Sequence, residues 1–249
     1  MLKPNFSQIR YSNDDDINEI LKWLKEQDNK GIHDTFHCNR NLTVEEHKKG
    51  KLAVYIDPDS NLVVAYQWGG LISPGILEVN EKYRGKGIGR MLVDFRIQEA
   101  LENDEPVLRI ECTPETSVPF WKHMGFQTYG LGNKYAFKLL KKTHTLPKKG
   151  HSCNVKISFF NESKKWDPTI EPNKSFNLTA ILLPERVVCL SKRVSYFHIK
   201  GQSFNDPVLS ITIDDEKIYL NKAKYEKAER LGVKTDGKVV YIDQIRLFD

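Results

Sequence analysis

The sequence is poor in the features that mark secreted and membrane proteins. No segment approaches the about 18–20 apolar residues that a membrane-spanning helix needs, and the opening residues Met1–Phe6 lack the apolar run of a signal peptide. The four cysteines lie far apart, without a CxxC pair or the spacing of a disulfide framework. We therefore expect a cytoplasmic protein with reduced thiols and no contact with a membrane.

Charge of one sign and clusters of metal ligands are also scarce. The formal net charge of +5 is spread over both halves of the chain, which does not favour nucleic acid as a partner. The densest basic stretch, Lys138–Lys149, is interpreted as a solvated linker, with contact to nucleic acid or to an acidic partner as the alternative. His33, His37 and Cys38 lie close together but have no distant partner pair, so we expect no metal site.

Hydrophobic periodicity predicts alternating strands and helices over roughly the first 140 residues. Ser12–Asp16 caps a helix that ends near Asp28, and Thr43–Glu46 is interpreted as a capping box that opens a second helix. The clearest helix is Gly87–Asn103, and Val118–Met124 is a short one. The predicted strands are Gln8–Tyr11, Leu52–Ile56, Leu62–Trp68, Ile76–Val79, Val107–Cys112, Phe126–Tyr129 and Lys134–Leu140. This order predicts an α/β (α+β) fold, a mixed sheet in which strand–helix–strand units place parallel strands side by side.

The pattern changes at Pro147–Gly150, which breaks regular structure and predicts a boundary between residues 1–146 and a smaller β-rich domain, 147–249. Short strands there predict a sandwich or barrel, with one helix at Lys222–Leu231. The predicted strands are Val155–Phe159, Phe176–Leu183, Val194–Ile199, Val208–Ile213, Lys217–Leu220 and Val239–Leu247. Five aromatic residues either fill its core or form a surface for a macromolecule: Phe159, Phe160, Trp166, Tyr196 and Phe197.

The most informative stretch is Arg84–Gly89, a glycine-rich turn between a strand and the longest amphipathic helix. Glycine lets backbone N–H groups approach an anion closely, and the helix N-terminus adds positive potential at the same point. Arg84, Lys86 and Arg90 add charge, so the turn predicts a pyrophosphate site, with a simple helix-entry turn as the alternative. A Walker-type loop is excluded because no Gly-Lys-Ser/Thr follows, and the preceding hairpin disfavours a dinucleotide fold.

These residues resemble the signature of the GNAT superfamily of N-acetyltransferases, Arg/Gln-x-x-Gly-x-Gly/Ala at a strand–helix junction, which Arg84, Gly87 and Gly89 match. Ser117–Phe126 is similar to a later element of that family. The resemblance covers about residues 6–140 and leaves the C-terminal hundred residues unrecognised. It implies acetyl-CoA as acyl donor and, as acceptor, an amine of a small molecule or protein.

The resemblance also implies how the donor is held. The strand before the signature splays from its parallel neighbour, and the pantetheine arm inserts between them like an added strand. Amides of the glycine-rich turn hold the pyrophosphate, and a backbone N–H near Val79 stabilises the oxyanion. The cofactor-binding residues implied in this way are Leu77, Glu78, Val79, Arg84, Gly85, Lys86, Gly87, Ile88, Gly89 and Arg90.

For proton transfer, the resemblance makes Glu111 the first candidate for the base and Glu78 the second. Trp121 stands where many relatives have the tyrosine that protonates the leaving thiolate, so Tyr129, Tyr135 or water takes that role. The alternative to an enzyme is a catalytically weak or inactive CoA-binding module whose C-terminal domain binds a macromolecule. The sequence leaves homo-oligomerisation open.

Overall fold

The computed structural model describes residues 6–32, 35–69, 75–161, 169–199 and 207–248. The chain divides into two compact units, Met1–Lys138 and Leu139–Asp249. The division lies before Pro147, and the assignment of residues 1–146 and 147–249 as separate domains stays a prediction. Within the described ranges, no helix is both long and apolar enough to span a bilayer.

The first unit combines two sheets with helices. The strands of the first sheet, in spatial order, are β1 (Ile9–Tyr11), β2 (Ala53–Ile56), β3 (Val63–Trp68) and β4 (Ile76–Val79). The second sheet has the order β5-β7-β6, with β5 (Val107–Glu111), β6 (Gln127–Tyr129) and β7 (Tyr135–Leu139). The helices are α1 (Asp14–Asn29), α2 (Arg40–Lys48), α3 (Ile88–Glu102) and α4 (Val118–His123). Strands β4 and β5 do not pair and lie at the edges of separate sheets, consistent with the expected splay between the strand before the glycine-rich turn and its neighbour.

Helix α1 forms where the sequence predicted it, for local reasons. Asn13 and Asp16 make a reciprocal capping box, because each side chain accepts a hydrogen bond from the other's backbone N–H at 3.0 and 2.7 Å. Ile17, Ile20 and Leu24 recur at helical spacing and are buried against one face of the first sheet. Helix α1 therefore covers that face.

Helix α2 begins earlier than predicted, at Arg40, and the capping box expected at Thr43 is wrong. The Thr43 hydroxyl is buried and accepts a hydrogen bond from the indole N–H of Trp68 at 3.1 Å. Its side chain therefore accepts a hydrogen bond from a buried donor of β3 and does not cap the start of a helix.

Helix α3 covers the opposite face of the first sheet. Ile88 and Leu92 pack against Ala65 of β3 and Tyr55 of β2, all in one buried cluster. Successive strand residues point to opposite faces, so Tyr66 faces α1 while its neighbour Ala65 faces α3. The first sheet is thus a layer between two helices, which confirms the α/β arrangement.

The second unit is β-rich, as predicted, and its described strands form one antiparallel sheet. In spatial order these strands are β12 (Glu216–Lys222), β11 (Val208–Ile213), β8 (His151–Phe160), β9 (Lys174–Leu182), β10 (Val187–Phe197), β14 (Val239–Arg246) and β13 (Val233–Asp236). All seven strands contribute to one core on one face, so the sheet curls around it. The expected sandwich is therefore wrong for the described residues, and the edge strands β12 and β13 leave the sheet open.

Two further predictions for this unit need correction. Strand β10 begins at Val187, before the predicted Val194, and an irregularity between Cys189 and Val194 interrupts its pairing with β14. The predicted helix Lys222–Leu231 shrinks to α5 (Glu226–Arg230), because Lys222 pairs with Val208 as the last residue of β12.

The aromatic residues of the second unit belong to its buried part. Phe159 stacks on Tyr196 with ring centroids 4.6 Å apart, and Phe160 and Phe197 are also buried. The core interpretation is confirmed for these four residues. Trp166 lies outside the described residues.

Candidate functional site

The glycine-rich turn between β4 and α3 adopts a backbone conformation that glycine favours. Gly85 has φ +79° and Gly87 has φ +81°, both in the left-handed region. A Cβ added at either position would meet no atom within 4 Å. The two glycines therefore serve the backbone conformation and leave open space above the turn.

The amides around this turn lack acceptors. Helix α3 begins at Ile88 with Gly87 as its N-cap, and its first hydrogen bond runs from Met91 N to Gly87 O at 3.1 Å. In the part of the chain that the structure describes, the backbone N–H groups of Gly85–Arg90 donate to no protein group. Free N–H groups together with a helix N-terminus favour an anion.

Three cationic side chains surround the turn, as the sequence predicted. Arg84 Nε donates to the carbonyl oxygen of Val79 at 3.0 Å, which links the turn to the end of β4. Lys86 Nζ lies 4.8 Å from the ring centroid of Tyr83, and Arg90 Nε lies 3.6 Å from an Asp94 oxygen. All three cations are solvent-exposed, so they raise the local positive potential without closing the space above the turn.

Strand β4 offers a free edge beside the turn as far as the structure describes the chain. Among the described strands it pairs with β3 alone, in the register Tyr66 opposite Glu78 and Gln67 opposite Leu77. Leu77 and Val79 belong to the cluster on the α3 side, so Glu78 points to the α1 side. A strand edge with unpaired backbone groups can accept an extended, amide-bearing ligand.

Glu78 is a buried carboxylate with one free oxygen. It is 3% exposed, and its Oε2 accepts hydrogen bonds from Tyr66 Oη at 3.0 Å and from the Phe36 amide at 3.1 Å. Its Oε1 has no partner among the described residues and is fully shielded. Burial raises the pKa of Glu78 to about 6, although the Phe36 amide, the Tyr66 hydroxyl, the Arg84 charge and the Gln27 side chain all act to lower it.

Two more buried polar groups lie on the face of α1 that covers this carboxylate. The Trp23 indole N–H and the Gln27 Nε2 group have no acceptor within the described residues. Gln27 Oε1 accepts from the Glu81 amide at 2.9 Å, and the Trp23 ring lies 5.8 Å from that of Tyr66. Sequence reasoning missed Trp23, Gln27 and Tyr66, because only the long-range register reveals that they approach Glu78.

The other predicted catalytic residues lie at the second sheet. Glu111 ends β5, and its Oε1 is 3.2 Å from Lys134 Nζ, with side chains 36% and 56% exposed. Tyr129 is half-buried against the rings of Tyr135 and Phe137, and burial raises the pKa of its hydroxyl. Glu111 is thus a part-exposed, paired carboxylate, in contrast to the buried Glu78.

Trp121, which stands at the expected tyrosine position, is buried in α4. Its ring meets those of Phe120 and Phe126 edge-on at 4.9 and 5.4 Å. It fills an aromatic core position and supplies no acidic proton.

The histidine and cysteine cluster near α1 does not gather ligands around one point. His37 Nδ1 lies 3.1 Å from Asp28 Oδ2, and Cys38 is an exposed free thiol. His33 lies outside the described residues. Across the described ranges, no three side chains of the metal-binding types form a group.

Comparison with known proteins gives one family match. The family model described as an acetyltransferase (GNAT) domain matches residues 24–143, whereas no curated protein matches the chain. Similar solved structures include the ribosomal-protein-alanine N-acetyltransferase from Brucella melitensis (23% identity, 53% of this chain, 99% of that chain, TM-score 0.40). Others are an N-acetyltransferase from Staphylococcus aureus Mu50 (19%, 53%, 97%, 0.40) and the GNAT family N-acetyltransferase YhbS from Escherichia coli in complex with CoA (18%, 53%, 80%, 0.40).

Proposed function

Residues 24–143 match the family model of an acetyltransferase (GNAT) domain, and on this premise we propose that the protein is an acetyl-CoA-dependent N-acetyltransferase. The acceptor is an amine of a small molecule or a protein. The observation that carries the proposal is the turn before α3, where two left-handed glycines leave open space above amides without acceptors. The family match confirms the resemblance that Arg84, Gly87 and Gly89 indicated.

The donor fits this turn and the neighbouring strand edge. The amides of Gly85–Arg90 hold the pyrophosphate, with the α3 N-terminus and the exposed cations adding attraction. Leu77, Glu78 and Val79 offer the free edge of β4 to the amides of the pantetheine arm. Acetyl-CoA supplies an activated acyl group, and these residues bind and orient it.

We assign the role of base to Glu78. The amine must lose a proton as its nitrogen forms the new bond to the acyl carbon and the C–S bond breaks. A carboxylate with a pKa of about 6 is ionised at neutral pH yet more basic than an ordinary glutamate, and its Oε1 has no hydrogen-bond partner among the described residues. Glu111 remains the second candidate, and Tyr129 or water returns a proton to the thiolate.

The test of donor binding is calorimetry with acetyl-CoA on the wild type and on Gly87→Glu, which places a carboxylate in the open space above the turn. Gly50→Glu is the matched control, because Gly50 also has a positive φ (+66°) and also faces open space, at the end of α2. We expect micromolar binding by the wild type and the control, and none by Gly87→Glu. Failure of the folded wild type to bind acetyl-CoA would overturn the proposal.

A second candidate function, a CoA-binding module without efficient chemistry, is favoured by the single observation that buried Trp121 replaces the expected tyrosine. Release of free thiol from acetyl-CoA across a panel of amines separates the two. Turnover that Glu78→Gln abolishes supports the enzyme, whereas binding without turnover of any amine supports the module.

The domain organisation, the location and the oligomeric state are also part of the proposal. The transferase occupies residues 1–146, and the β-rich residues 147–249 form a second domain that restricts or presents the acceptor. We place the protein in the cytoplasm, as a monomer or homo-oligomer. Deleting residues 147–249 tests the arrangement, since loss of turnover with intact acetyl-CoA binding indicates a recognition role.

A further inference from the structure

We propose that Tyr66 is the positioning residue of the base: its hydroxyl holds one oxygen of Glu78, so that the other oxygen, Oε1, receives the proton of the acceptor amine. This inference rests on the proposed function and goes beyond it, because it assigns a role to a residue of β3 that belongs neither to the glycine-rich turn nor to β4.

The geometry gives Tyr66 this position. Tyr66 stands directly opposite Glu78 in the β3–β4 ladder, so both side chains lie on the same face of the sheet. The phenol is completely buried, and its hydroxyl lies 3.0 Å from Glu78 Oε2. The Phe36 amide reaches the same oxygen from a different element at 3.1 Å. Two donors from two elements therefore fix one carboxylate oxygen.

The two oxygens of Glu78 differ in their hydrogen bonds, and this difference affects their basicity. Hydrogen bonds to Oε2 stabilise negative charge there, which leaves the bare Oε1 as the more basic oxygen. A buried acceptor without a partner is unfavourable, so Oε1 gains when it accepts a hydrogen bond from an incoming amine. A carboxylate free to rotate would lose this orientation.

A purely structural role for Tyr66 makes different predictions. The ring packs beside Trp23 with centroids 5.8 Å apart, and phenylalanine would preserve that packing. The other polar groups facing the carboxylate are the Phe36 amide, Gln27 and the Arg84 charge, while the Thr43 hydroxyl and the Cys38 thiol act on Tyr66 itself. None of them changes in Tyr66→Phe, so any shift in the pKa of Glu78 reports the lost hydroxyl.

The experiment measures the carboxylate directly. In the full chain with ¹³C-labelled glutamate side chains, an NMR titration follows the Glu78 signal, which Glu78→Gln identifies by its absence. Because the Tyr66 hydroxyl acts to lower the pKa of Glu78, Tyr66→Phe is expected to raise it by roughly one unit. Tyr55→Phe is the control, since Tyr55 is buried on the opposite face, away from Glu78.

The kinetic arm measures thiol release from acetyl-CoA with phenylethylamine as probe. The acidic limb of kcat/KM should move up by the same amount in Tyr66→Phe, a loss of about fivefold at pH 6 that recovers above pH 8. If Tyr66→Phe does not fold, Phe36→Pro removes the second donor to Oε2. Phe36 is the first residue of a 3₁₀ turn, a position that tolerates proline. This variant should shift the NMR titration and the kinetic limb in the same direction.

The outcomes separate the two ideas. A shifted titration with a matching shift in the kinetic limb supports the inference. An unchanged titration in the folded variant overturns it, even if the enzyme turns over. A wild type that neither binds acetyl-CoA nor releases thiol overturns the proposed function instead, and the titration still shows whether Tyr66 controls the carboxylate.

Discussion

Replacing Glu78 by glutamine should stabilise the first unit while abolishing acetyl transfer. The carboxylate is buried and its pKa is raised to about 6 from an ordinary 4.5, so the folded state disfavours its charged form. Glutamine keeps the size and the acceptor oxygen for Tyr66 without the charge. Stability and activity are therefore expected to move in opposite directions.

The magnitude and its pH window follow from linkage. A group whose pKa is raised on folding contributes stability that is fully present below pH 4.5 and lost as the pH rises through about 6. The interval between these two values corresponds to about 2 kcal/mol. Glu78→Gln should match the wild type near pH 4 and exceed its free energy of unfolding by about 2 kcal/mol at pH 8.

Urea denaturation followed by tryptophan fluorescence suits this measurement, because Trp23, Trp68 and Trp121, three of the four tryptophans, belong to the first unit. Glu111→Gln is the matched control and should show no comparable gain at pH 8, since Glu111 is part-exposed and lies beside Lys134. A Glu78→Gln variant that is no more stable than the wild type at pH 8 would refute the reasoning. The carboxylate would then be solvated or neutralised in a way that its surroundings do not show.

Two further predictions concern the glycine-rich turn and the second unit. Gly87→Ala should cost about 1–2 kcal/mol of stability, since an L-residue is strained at φ +81°. Gly89→Ala should retain stability and acetyl-CoA affinity, because its Cβ would meet Phe120 at an ordinary 3.6 Å. Thermal unfolding measures the stability of both variants, and calorimetry measures their affinity for acetyl-CoA. Burial acts to raise the pKa of Asp243, but two hydrogen bonds from buried Arg193 and the charges of Arg193, His144 and Lys142 together hold it below its ordinary value. Asp243→Asn should therefore destabilise the second unit by about 3–5 kcal/mol at pH 7. The difference in free energy of unfolding between variant and wild type should shrink as the pH falls below 3.8. Equal urea midpoints at pH 7 would contradict this.

Local chemistry explains which features of the fold could be predicted. The Asn13–Asp16 cap of α1 and the left-handed glycines before α3 depend on residues close in sequence, so both were predictable. The start of α2 was not, because the Thr43 hydroxyl is used by Trp68, which is distant in sequence. In the second unit, alternation predicted most strands, but whether they form one sheet or two depends on pairings between distant segments.

The candidate site likewise has one part that the local sequence predicts and one part that it does not. The anion-binding turn is visible in the sequence because glycines, cations and a helix start are adjacent. The environment of Glu78 is not, since its burial and its hydrogen bonds to Tyr66 and Phe36 arise from the strand register and from a loop before α2. Position in the family ranks Glu111 above Glu78 as the base. That position says nothing about exposure, and exposure is the property in which the two carboxylates differ in the structure.

Donor binding at the glycine-rich turn is tested most directly by the amide spectrum of the wild-type protein, recorded by ¹H–¹⁵N NMR before and after addition of acetyl-CoA. We expect the largest shifts at the amides of Gly85–Arg90, with the distinctive glycine signals of Gly85 and Gly87 among them, and little change at Gly50. Saturable shifts confined to other parts of the chain, or no shifts at all in the folded protein, would contradict the claim that this turn binds the donor.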